Sequence, residues 1–380
     1  MKQIQVLSVF GTRPEAIKMC PLVKELAQRP EFNSMVCVTG QHRQMLDQVL
    51  DIFSVRPDYD LNIMKERQTL ASITTGVVEG VAQVVEQCRP DIVLVHGDTT
   101  TSFAAALGAF YQKTPVGHVE AGLRTYNRYS PFPEEMNRTL TSRLAELHFA
   151  PTQRNAQALE KEGITQNVFV TGNTVIDAFA TTVRPDYMFR DPALGRAVEQ
   201  SGRLVLLTAH RRENLGRPLE QICDAVLALC DKYPDLHFVY PVHLNPAVRE
   251  TVFARLGQHP RILLTQPLDV AEMHNVMARC HLVMTDSGGL QEEAPHLGKP
   301  VLVLRTETER PEAVEAGTAL VVGVQTQEIL RQASRLLDDS AAYERMAQAK
   351  NPYGDGQASR RIADCMLAYF QHKSNGEECL

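Results

Sequence analysis

Three acidic side chains follow apolar runs in the first half of the sequence and could transfer protons. Asp98 ends the segment VLVHGD, Glu120 ends PVGHVE, and Glu134 follows SPFP. Carboxylates crowded into one site raise one another's pKa values, which can divide acid and base roles between them. Two of them also have structural explanations, because Asp98 could cap a helix and Glu134 could favour a helix dipole. Taken together, the three predict an acid–base site.

Cationic residues after other apolar runs predict an anion site. Arg13 and Lys18 flank a helix start in FGTRPEAIK, and His210 precedes two arginines in TAHRRENLG. Backbone N–H groups at a helix start and the planar guanidinium group of arginine both suit phosphate or carboxylate. The alternative for each segment is a set of solvated or paired surface charges.

The segment TDSGGLQEEA adds glycines to this pattern. Gly288 and Gly289 would let a phosphate approach backbone N–H groups, and Ser287 adds a hydroxyl donor. Glu293 lies one turn into the following helix, where a ribose could reach it, and Arg310 precedes a helix that starts with proline. The alternative is an ordinary capped helix. A nucleoside diphosphate linked to a neutral group would fit the combined polarity.

Short apolar runs alternate with amphipathic stretches along the whole chain, which predicts βαβ units and parallel sheets. Strands are predicted at 3–10, 35–39, 91–96, 115–119, 147–150, 168–171, 203–209, 236–241, 261–265, 281–285, 300–304 and 319–323. Helices are predicted at 14–28, 41–53, 69–87, 99–111, 134–145, 217–232, 270–279, 290–297, 310–316, 325–350 and 357–371, with a loop at 183–192.

The expected fold class is α/β, with two Rossmann-like parallel-sheet domains facing a cleft. The predicted boundary near Gly172 divides 1–171 from 172–356, and a C-terminal helix at 357–372 is assigned to the first domain. Ligands of open α/β sheets bind beyond the carboxyl ends of the strands, which is where the charged residues above fall.

Composition excludes several protein classes. The 380 residues are 44% hydrophobic and 22% charged with a net charge of −6, which is unlike a disordered or nucleic-acid-binding chain. No run of about 18 apolar residues predicts a membrane span, and the N-terminus is typical of a first strand rather than a signal peptide. Eight cysteines without a C-x-x-C pair indicate reduced thiols in the cytoplasm. No metal-ligand spacing or dinucleotide fingerprint occurs, so neither metal nor cofactor is expected.

The motifs together resemble those of the bacterial non-hydrolysing UDP-N-acetylglucosamine 2-epimerases. The resemblance implies a GT-B architecture, a homodimer, and interconversion of UDP-GlcNAc and UDP-ManNAc for surface-polysaccharide synthesis. The matching segments, from residue 10 to about 359, are FGTRPEAIKM, TGQHRQMLDQVL, VLVHGDTTT, PVGHVEAGLRT, SPFPEEMNR, TGNTVIDA, TAHRRENLG, YPVHLNP, TDSGGLQEEAP, ERPEAVEAGT and NPYGDGQAS.

The resemblance also implies roles for individual residues. Met273 departs from the family pattern, in which an aromatic residue is common near the uracil pocket. The implied catalytic residues are Asp98, Glu120, Glu134 and His210; the implied substrate-binding residues are Arg13, Lys18, Ser287, Gly288, Gly289, Glu293 and Arg310; and the implied contacts of an activating second UDP-GlcNAc are Gln41, Gln44, Arg67, Glu134, Arg211 and His243.

Three alternatives use the same kind of site. A hydrolysing epimerase would release ManNAc and UDP, a GT-B glycosyltransferase would leave carbon 2 of the sugar untouched, and a UDP-sugar sensor would bind without turnover. Some members of the resembled family act on more modified UDP sugars. The resemblance therefore specifies the type of reaction more closely than it specifies the sugar of the substrate.

Overall fold

A computed structural model describes residues 3–40, 43–64, 68–200 and 202–374, and it contains thirteen β-strands in two sheets. The strands are β1 (Ile4–Phe10), β2 (Phe32–Val38), β3 (Tyr59–Asp60), β4 (Ile92–His96), β5 (Val116–Val119), β6 (Leu147–Ala150), β7 (Val168–Val170), β8 (Arg203–Thr208), β9 (Leu236–Pro241), β10 (Ile262–Thr265), β11 (Leu282–Thr285), β12 (Val301–Val303) and β13 (Ala319–Val321).

Helices connect these strands. They are α1 (Arg13–Gln28), α2 (Arg43–Phe53), α3 (Leu70–Cys88), α4 (Thr100–Tyr111), α5 (Glu134–Leu144), α6 (Gln153–Lys161), α7 (Thr174–Asp177), α8 (Phe179–Thr182), α9 (Pro192–Gln200), α10 (Arg217–Lys232), α11 (Pro246–Leu256), α12 (Val270–Arg279), α13 (Gly288–Glu293), α14 (Pro311–Glu315), α15 (Thr326–Asp338), α16 (Ser340–Ala347) and α17 (Ala358–Ser374), with 3₁₀ turns at Arg212–Asn214 and Ala294–Leu297. No helix in the described part of the chain is both long and apolar enough to cross a membrane.

The first compact unit runs to Thr181 and resumes at Tyr353. Its seven strands pair in parallel in the order β3-β2-β1-β4-β5-β6-β7. The direction in which strands are added reverses between β1 and β4, so a crevice is expected where these neighbouring strands end. Apolar residues on one face of the sheet, among them Leu7, Val9, Val93 and Val95, pack against apolar residues of α3 and α4 in one core cluster.

The second compact unit spans Thr182–Pro352 and repeats this plan. Its six parallel strands follow the order β10-β9-β8-β11-β12-β13, with the reversal between β8 and β11. The predicted α/β class with two parallel sheets is therefore confirmed. The predicted domain boundaries, 171/172 and 356/357, lie close to the limits of these units without coinciding with them.

The chain returns to the first unit through a segment rich in glycine. The backbone N–H of Asn173 donates to the Tyr353 carbonyl at 2.7 Å. The Asp177 carboxylate then accepts the backbone N–H groups of Ala358 and Ser359, which satisfies donors at the start of α17. These bonds fix both α17 and the turn after β7 within one unit.

The element predictions were wrong in a few places. One helix was predicted at 325–350, but Asp339 ends α15 and its carboxylate caps α16 by accepting the Ala342 N–H at 3.0 Å. The prediction also missed β3, with two residues, and the helices α6, α7, α8, α9 and α11.

Candidate functional site

The loops after β1 and β4 are tied together by a buried carboxylate that the sequence prediction did not single out. Glu15, 2% exposed, accepts the backbone N–H groups of Gly11 and Thr12 at 3.1 and 2.8 Å. Its other oxygen accepts the hydroxyl groups of Thr99 and Ser102 at 2.7 and 2.9 Å. The signal was available, because the T-x-x-E spacing that ends at Glu15 is the sequence pattern of a capping box.

Asp98 lies in the loop after β4 and does not cap the following helix. Thr99 is the cap of α4, since its hydroxyl accepts the Ser102 N–H. The Asp98 carboxylate instead pairs with Arg138 at 2.5 Å. Burial raises the pKa of Asp98 above its ordinary value, the Arg138 guanidinium opposes the rise, and the nearby Glu120 carboxylate adds to it.

Glu120 follows β5, the sheet neighbour of β4. Its backbone has a φ of 61°, in the left-handed region that only a few residues other than glycine adopt. Its Oε2 atom is bonded by the Lys18 ammonium group and by Asn173 Nδ2, the latter at 2.8 Å. His96 Nε2 lies 3.7 Å from the same oxygen. Strand pairing thus brings Lys18 and Glu120 together from distant parts of the chain.

Glu134 is the first residue of α5, and its carboxylate contributes to the raised pKa of Asp98. Its Oε2 atom is buried with no hydrogen-bond partner among the described residues. We call Asp98, Glu120 and Glu134, with the cations Lys18 and Arg138, the carboxylate cluster. Arg13 is the first residue of α1, and it is half-buried.

Three buried histidines lie on adjacent strands of the first sheet, two of which precede members of the carboxylate cluster. His96, His118 and His148 lie on β4, β5 and β6 and are between 0% and 4% exposed. Burial lowers the pKa of His96 to about 4, of His118 to about 3 and of His148 to about 4. All three are therefore neutral at pH 7. His118 Nε2 lies 2.7 Å from the carbonyl of Gly97, the residue before Asp98.

In the second unit, Asp286 holds the loop that follows β8. This carboxylate is fully buried, and its Oδ2 atom accepts the backbone N–H groups of His210 and Arg211, both at 2.7 Å. The Asn214 amide donates to the same oxygen at 3.0 Å. The loop is thus fixed to the end of β11. Glu213 does not pair with the adjacent arginines but lies 3.0 Å from Arg305.

The start of α13 brings together glycine, hydroxyl and arginine groups. A Cβ atom added to Gly288 would lie 3.8 Å from the Arg310 guanidinium and 3.9 Å from Arg211 Nη2. Ser287 is the N-cap of the helix, yet its side chain makes no capping hydrogen bond. Arg310 also pairs with Glu292. We call Arg211, Ser287, Gly288, Gly289 and Arg310 the arginine–glycine cluster, and its chemistry suits an anion.

The remaining predicted residues of this unit surround that cluster. Glu293 lies 3.4 Å from His274, and its Oε1 atom would be 3.2 Å from a Cβ atom on Gly289. The rings of His210 and His243 are stacked, with centroids 5.1 Å apart. Burial lowers the pKa of His210, while Asp286 opposes that change.

Within the described part of the chain, the predicted site residues from the first half of the sequence thus lie in the first unit, and those from the second half lie in the second unit. Gln41, Arg67 and the side chain of Gln44 lie outside the described residues. The prediction assigned no role to Glu15, Arg138 or Asn173. Asn173 lies in the segment TGNTVIDA and caps α7, but its bond to Glu120 joins segments that are remote in sequence.

Comparison with known proteins identifies the family to which the sequence is similar. A sequence profile described as UDP-N-acetylglucosamine 2-epimerase matches residues 24–367. A UDP-N-acetylglucosamine 2-epimerase from Bacillus subtilis is 55% identical over 374 residues, covering 98% of this chain and 97% of the relative.

Solved structures of the same family are also similar to this chain. The UDP-GlcNAc 2-epimerase from Neisseria meningitidis bound to UDP-GlcNAc is 50% identical, with a TM-score of 0.85 over 96% of this chain and 100% of its own. A kitacinnamycin glycosyltransferase, 13% identical with a TM-score of 0.65 over 97% of this chain and 99% of its own, shows only that the GT-B-like fold is shared. Since the profile match and the high identity each extend over nearly the whole chain, this protein belongs to the UDP-N-acetylglucosamine 2-epimerase family.

Proposed function

We propose that this protein reversibly converts UDP-GlcNAc to UDP-ManNAc without hydrolysis, by elimination and re-addition of UDP through 2-acetamidoglucal. The observation that carries the proposal is the carboxylate cluster. It places three carboxylates and two cations at one edge of the first sheet, and burial raises the pKa of one of these carboxylates, Asp98.

The chemistry explains why several carboxylates are useful. The hydrogen on carbon 2 is not next to a carbonyl group, so a base cannot simply remove it. When the anomeric C–O bond breaks, UDP leaves with the bonding electrons and the ring gains oxocarbenium character. The adjacent C–H then becomes acidic, and a carboxylate takes its proton. Re-addition of UDP with proton delivery to the other face inverts carbon 2.

Each cluster has a part in this reaction. Asp98, Glu120 and Glu134 share the proton transfers, each of which contributes about 10²–10⁴-fold to the rate. The arginine–glycine cluster and His210 stabilise negative charge on departing UDP, where a single donor is worth about 3–4 kcal/mol. Glu293 binds the ribose, and Arg13 and Lys18 bind near the reacting sugar.

The decisive experiment is incubation with UDP-GlcNAc in heavy water followed by NMR. Deuterium at carbon 2 of UDP-ManNAc is the expected result. Free ManNAc with UDP would identify the hydrolysing reaction, and unlabelled carbon 2 with sugar transfer to an added acceptor would identify a glycosyltransferase. Asp98→Asn and Glu120→Gln should each abolish the exchange, whereas Glu25→Gln, in the last turn of α1 where the carboxylate pairs with Arg29, should not.

We extend the proposal to activation by a second UDP-GlcNAc that contacts Gln41, Gln44, Arg67, Glu134, Arg211 and His243. The stacking of His243 on His210 supports it, because a ligand at His243 would contact the ring that packs against His210, a residue proposed to assist the leaving group. Sigmoidal dependence of rate on UDP-GlcNAc is expected, and its loss in His243→Ala would assign the site. Hyperbolic kinetics over a wide substrate range would exclude this activation.

The remaining proposals are a homodimer in the cytoplasm that supplies precursors for surface polysaccharide. Their support is the family resemblance of the motifs. Sedimentation equilibrium tests the dimer, and loss of surface polysaccharide on deletion of the gene tests the role.

A further inference from the structure

Two hydrogen-bond donors converge on one oxygen of the Glu120 carboxylate. The Lys18 ammonium group and Asn173 Nδ2 both bond Oε2. Asn173 is 3% exposed, so its amide is removed from water and its bonds are made within the protein. The other oxygen, Oε1, lies on the side of Gly97, 3.5 Å from the position of an added Cβ atom there.

The orientation of the Asn173 amide is set by a second bond. The backbone N–H of Val175 lies 3.0 Å from Asn173 Oδ1 and can only donate, so the amide oxygen must face it. The NH₂ group is therefore turned towards Glu120. The Asn173 backbone is fixed in turn by its bond to the Tyr353 carbonyl and by the close approach of Gly172 and Gly354.

This arrangement distinguishes the two oxygens of Glu120. Neither an ammonium group nor an amide NH₂ accepts a hydrogen bond, so a proton on Oε2 would face two donors. His96, near the same oxygen, is neutral and supplies no competing cation. A proton on Oε1 leaves both bonds to Oε2 intact.

We infer that Asn173 is a positioning residue which, with Lys18, commits Glu120 Oε2 to accepting hydrogen bonds and makes Oε1 the atom that takes and returns the carbon-2 proton. The inference rests on the proposed function. In the step, Oε1 binds the proton, the C–H electron pair forms the C1–C2 double bond, and UDP leaves with the electrons of the anomeric bond. In the reverse step Oε1 returns the proton.

The test uses Asn173→Ser and Asn173→Asp in the full-length protein. Serine and aspartate both cap helices, so α7 keeps its start. The shorter serine side chain lacks the amide NH₂ group that reaches Glu120, and the aspartate carboxylate only accepts. We expect kcat to fall about 10-fold or more with KM changed less than twofold, since a bond to a charged group is worth about 1.5–3 kcal/mol. Carbon-2 deuterium exchange should fall in parallel.

The pH profile separates positioning from loss of structure. Loss of a donor raises the pKa of Glu120, more in Asn173→Asp because of the added negative charge. The acid limb of kcat in the direction where Glu120 is the base, and the alkaline limb in the opposite direction, should both move to higher pH. Lys18→Met removes the other donor to Oε2 and should shift the same limbs in the same direction.

Asn245 provides a matched control in the second unit. Its Oδ1 atom accepts the Ala247 N–H at 3.0 Å, the same capping geometry without a bond to Glu120. Asn245→Ser and Asn245→Asp should leave the limbs in place. Limbs that stay fixed in the Asn173 and Lys18 variants, or that move equally in the Asn245 variants, overturn the inference. Wild-type exchange in Glu120→Gln would instead overturn the proposed role of Glu120 itself.

Discussion

The Arg138 guanidinium lies 2.5 Å from the Asp98 carboxylate, and it is the main group that opposes the rise in the pKa of Asp98 caused by burial. The Arg138 side chain is itself 6% exposed. The pair joins the first turns of α5 to the loop after β4. Since α5 also begins with Glu134, this ion pair fixes two members of the carboxylate cluster relative to each other.

Arg138→Met should therefore shift the pH dependence of turnover. Without the guanidinium, the pKa of Asp98 rises further, because the main charge that opposes the effect of burial is removed. The limb of the kcat/KM profile that reports Asp98 should move to higher pH. Arg124→Met is the control, because Arg124 is also buried and pairs with Glu162 rather than with the cluster. A shift of the same size in Arg124→Met would contradict the prediction.

Glu15→Gln should destabilise the protein by about 2–4 kcal/mol. The carboxylate accepts four hydrogen bonds, two on each oxygen, and the NH₂ group of glutamine cannot accept, so two of the four donors lose their bond to this side chain. Urea denaturation measures the loss. Glu25→Gln on the same helix removes only the half-buried pair with Arg29 and should cost under about 1 kcal/mol. Equal stabilities of the two variants would show that the Glu15 bonds contribute little.

The sequence predicted the sheet more closely than the helices. Strands such as β4 and β8 are continuous apolar runs that are buried along most of their length, and this pattern is visible without a structure. The missed helix α6 has nine residues and is mostly polar, with Ala158 and Leu159 among its few buried residues, so too few apolar positions mark it as a helix in the sequence. β3 has only two residues, too few to form a recognisable run.

The site could be predicted where its residues follow strands directly. Asp98, Glu120 and Ser287 come just after β4, β5 and β11. Because the strands of each sheet are parallel, such residues lie at the carboxyl ends of the strands of that sheet. The bonds from Asn173 to the Glu120 carboxylate and to the Tyr353 carbonyl could not be predicted, since both partners are remote in sequence. Such contacts are set by tertiary packing.

Gly288→Ala should weaken UDP binding without unfolding the second unit. The added methyl would lie 3.8 Å from the Arg310 guanidinium, an ordinary contact distance, so the fold can accept it. The same methyl would occupy the space in which a phosphate could meet the backbone N–H groups. We expect the Kd for UDP, measured by calorimetry, to rise about 10-fold or more with an unchanged melting temperature. Unchanged affinity would exclude a phosphate beside Gly288.

The three buried histidines should make the protein sensitive to mild acid. Their folded pKa values of about 4, 3 and 4 lie below the ordinary 6.5, so the unfolded chain binds protons first as pH falls. The stabilisation is present above pH 6.5 and is lost as pH falls towards the folded values. Each histidine should lower the free energy of unfolding by about 1 kcal/mol as the pH falls from 7.5 to 5.5.

His148→Gln tests this linkage, because glutamine does not titrate in this range. Its free energy of unfolding, measured in urea at several pH values, should fall less steeply with acid than that of the wild type. The slope is the informative quantity, since the substitution also changes packing at neutral pH. His372→Gln, at an exposed position on α17, should keep the wild-type slope. If His148→Gln also keeps that slope, protonation of the buried histidine does not drive the acid sensitivity.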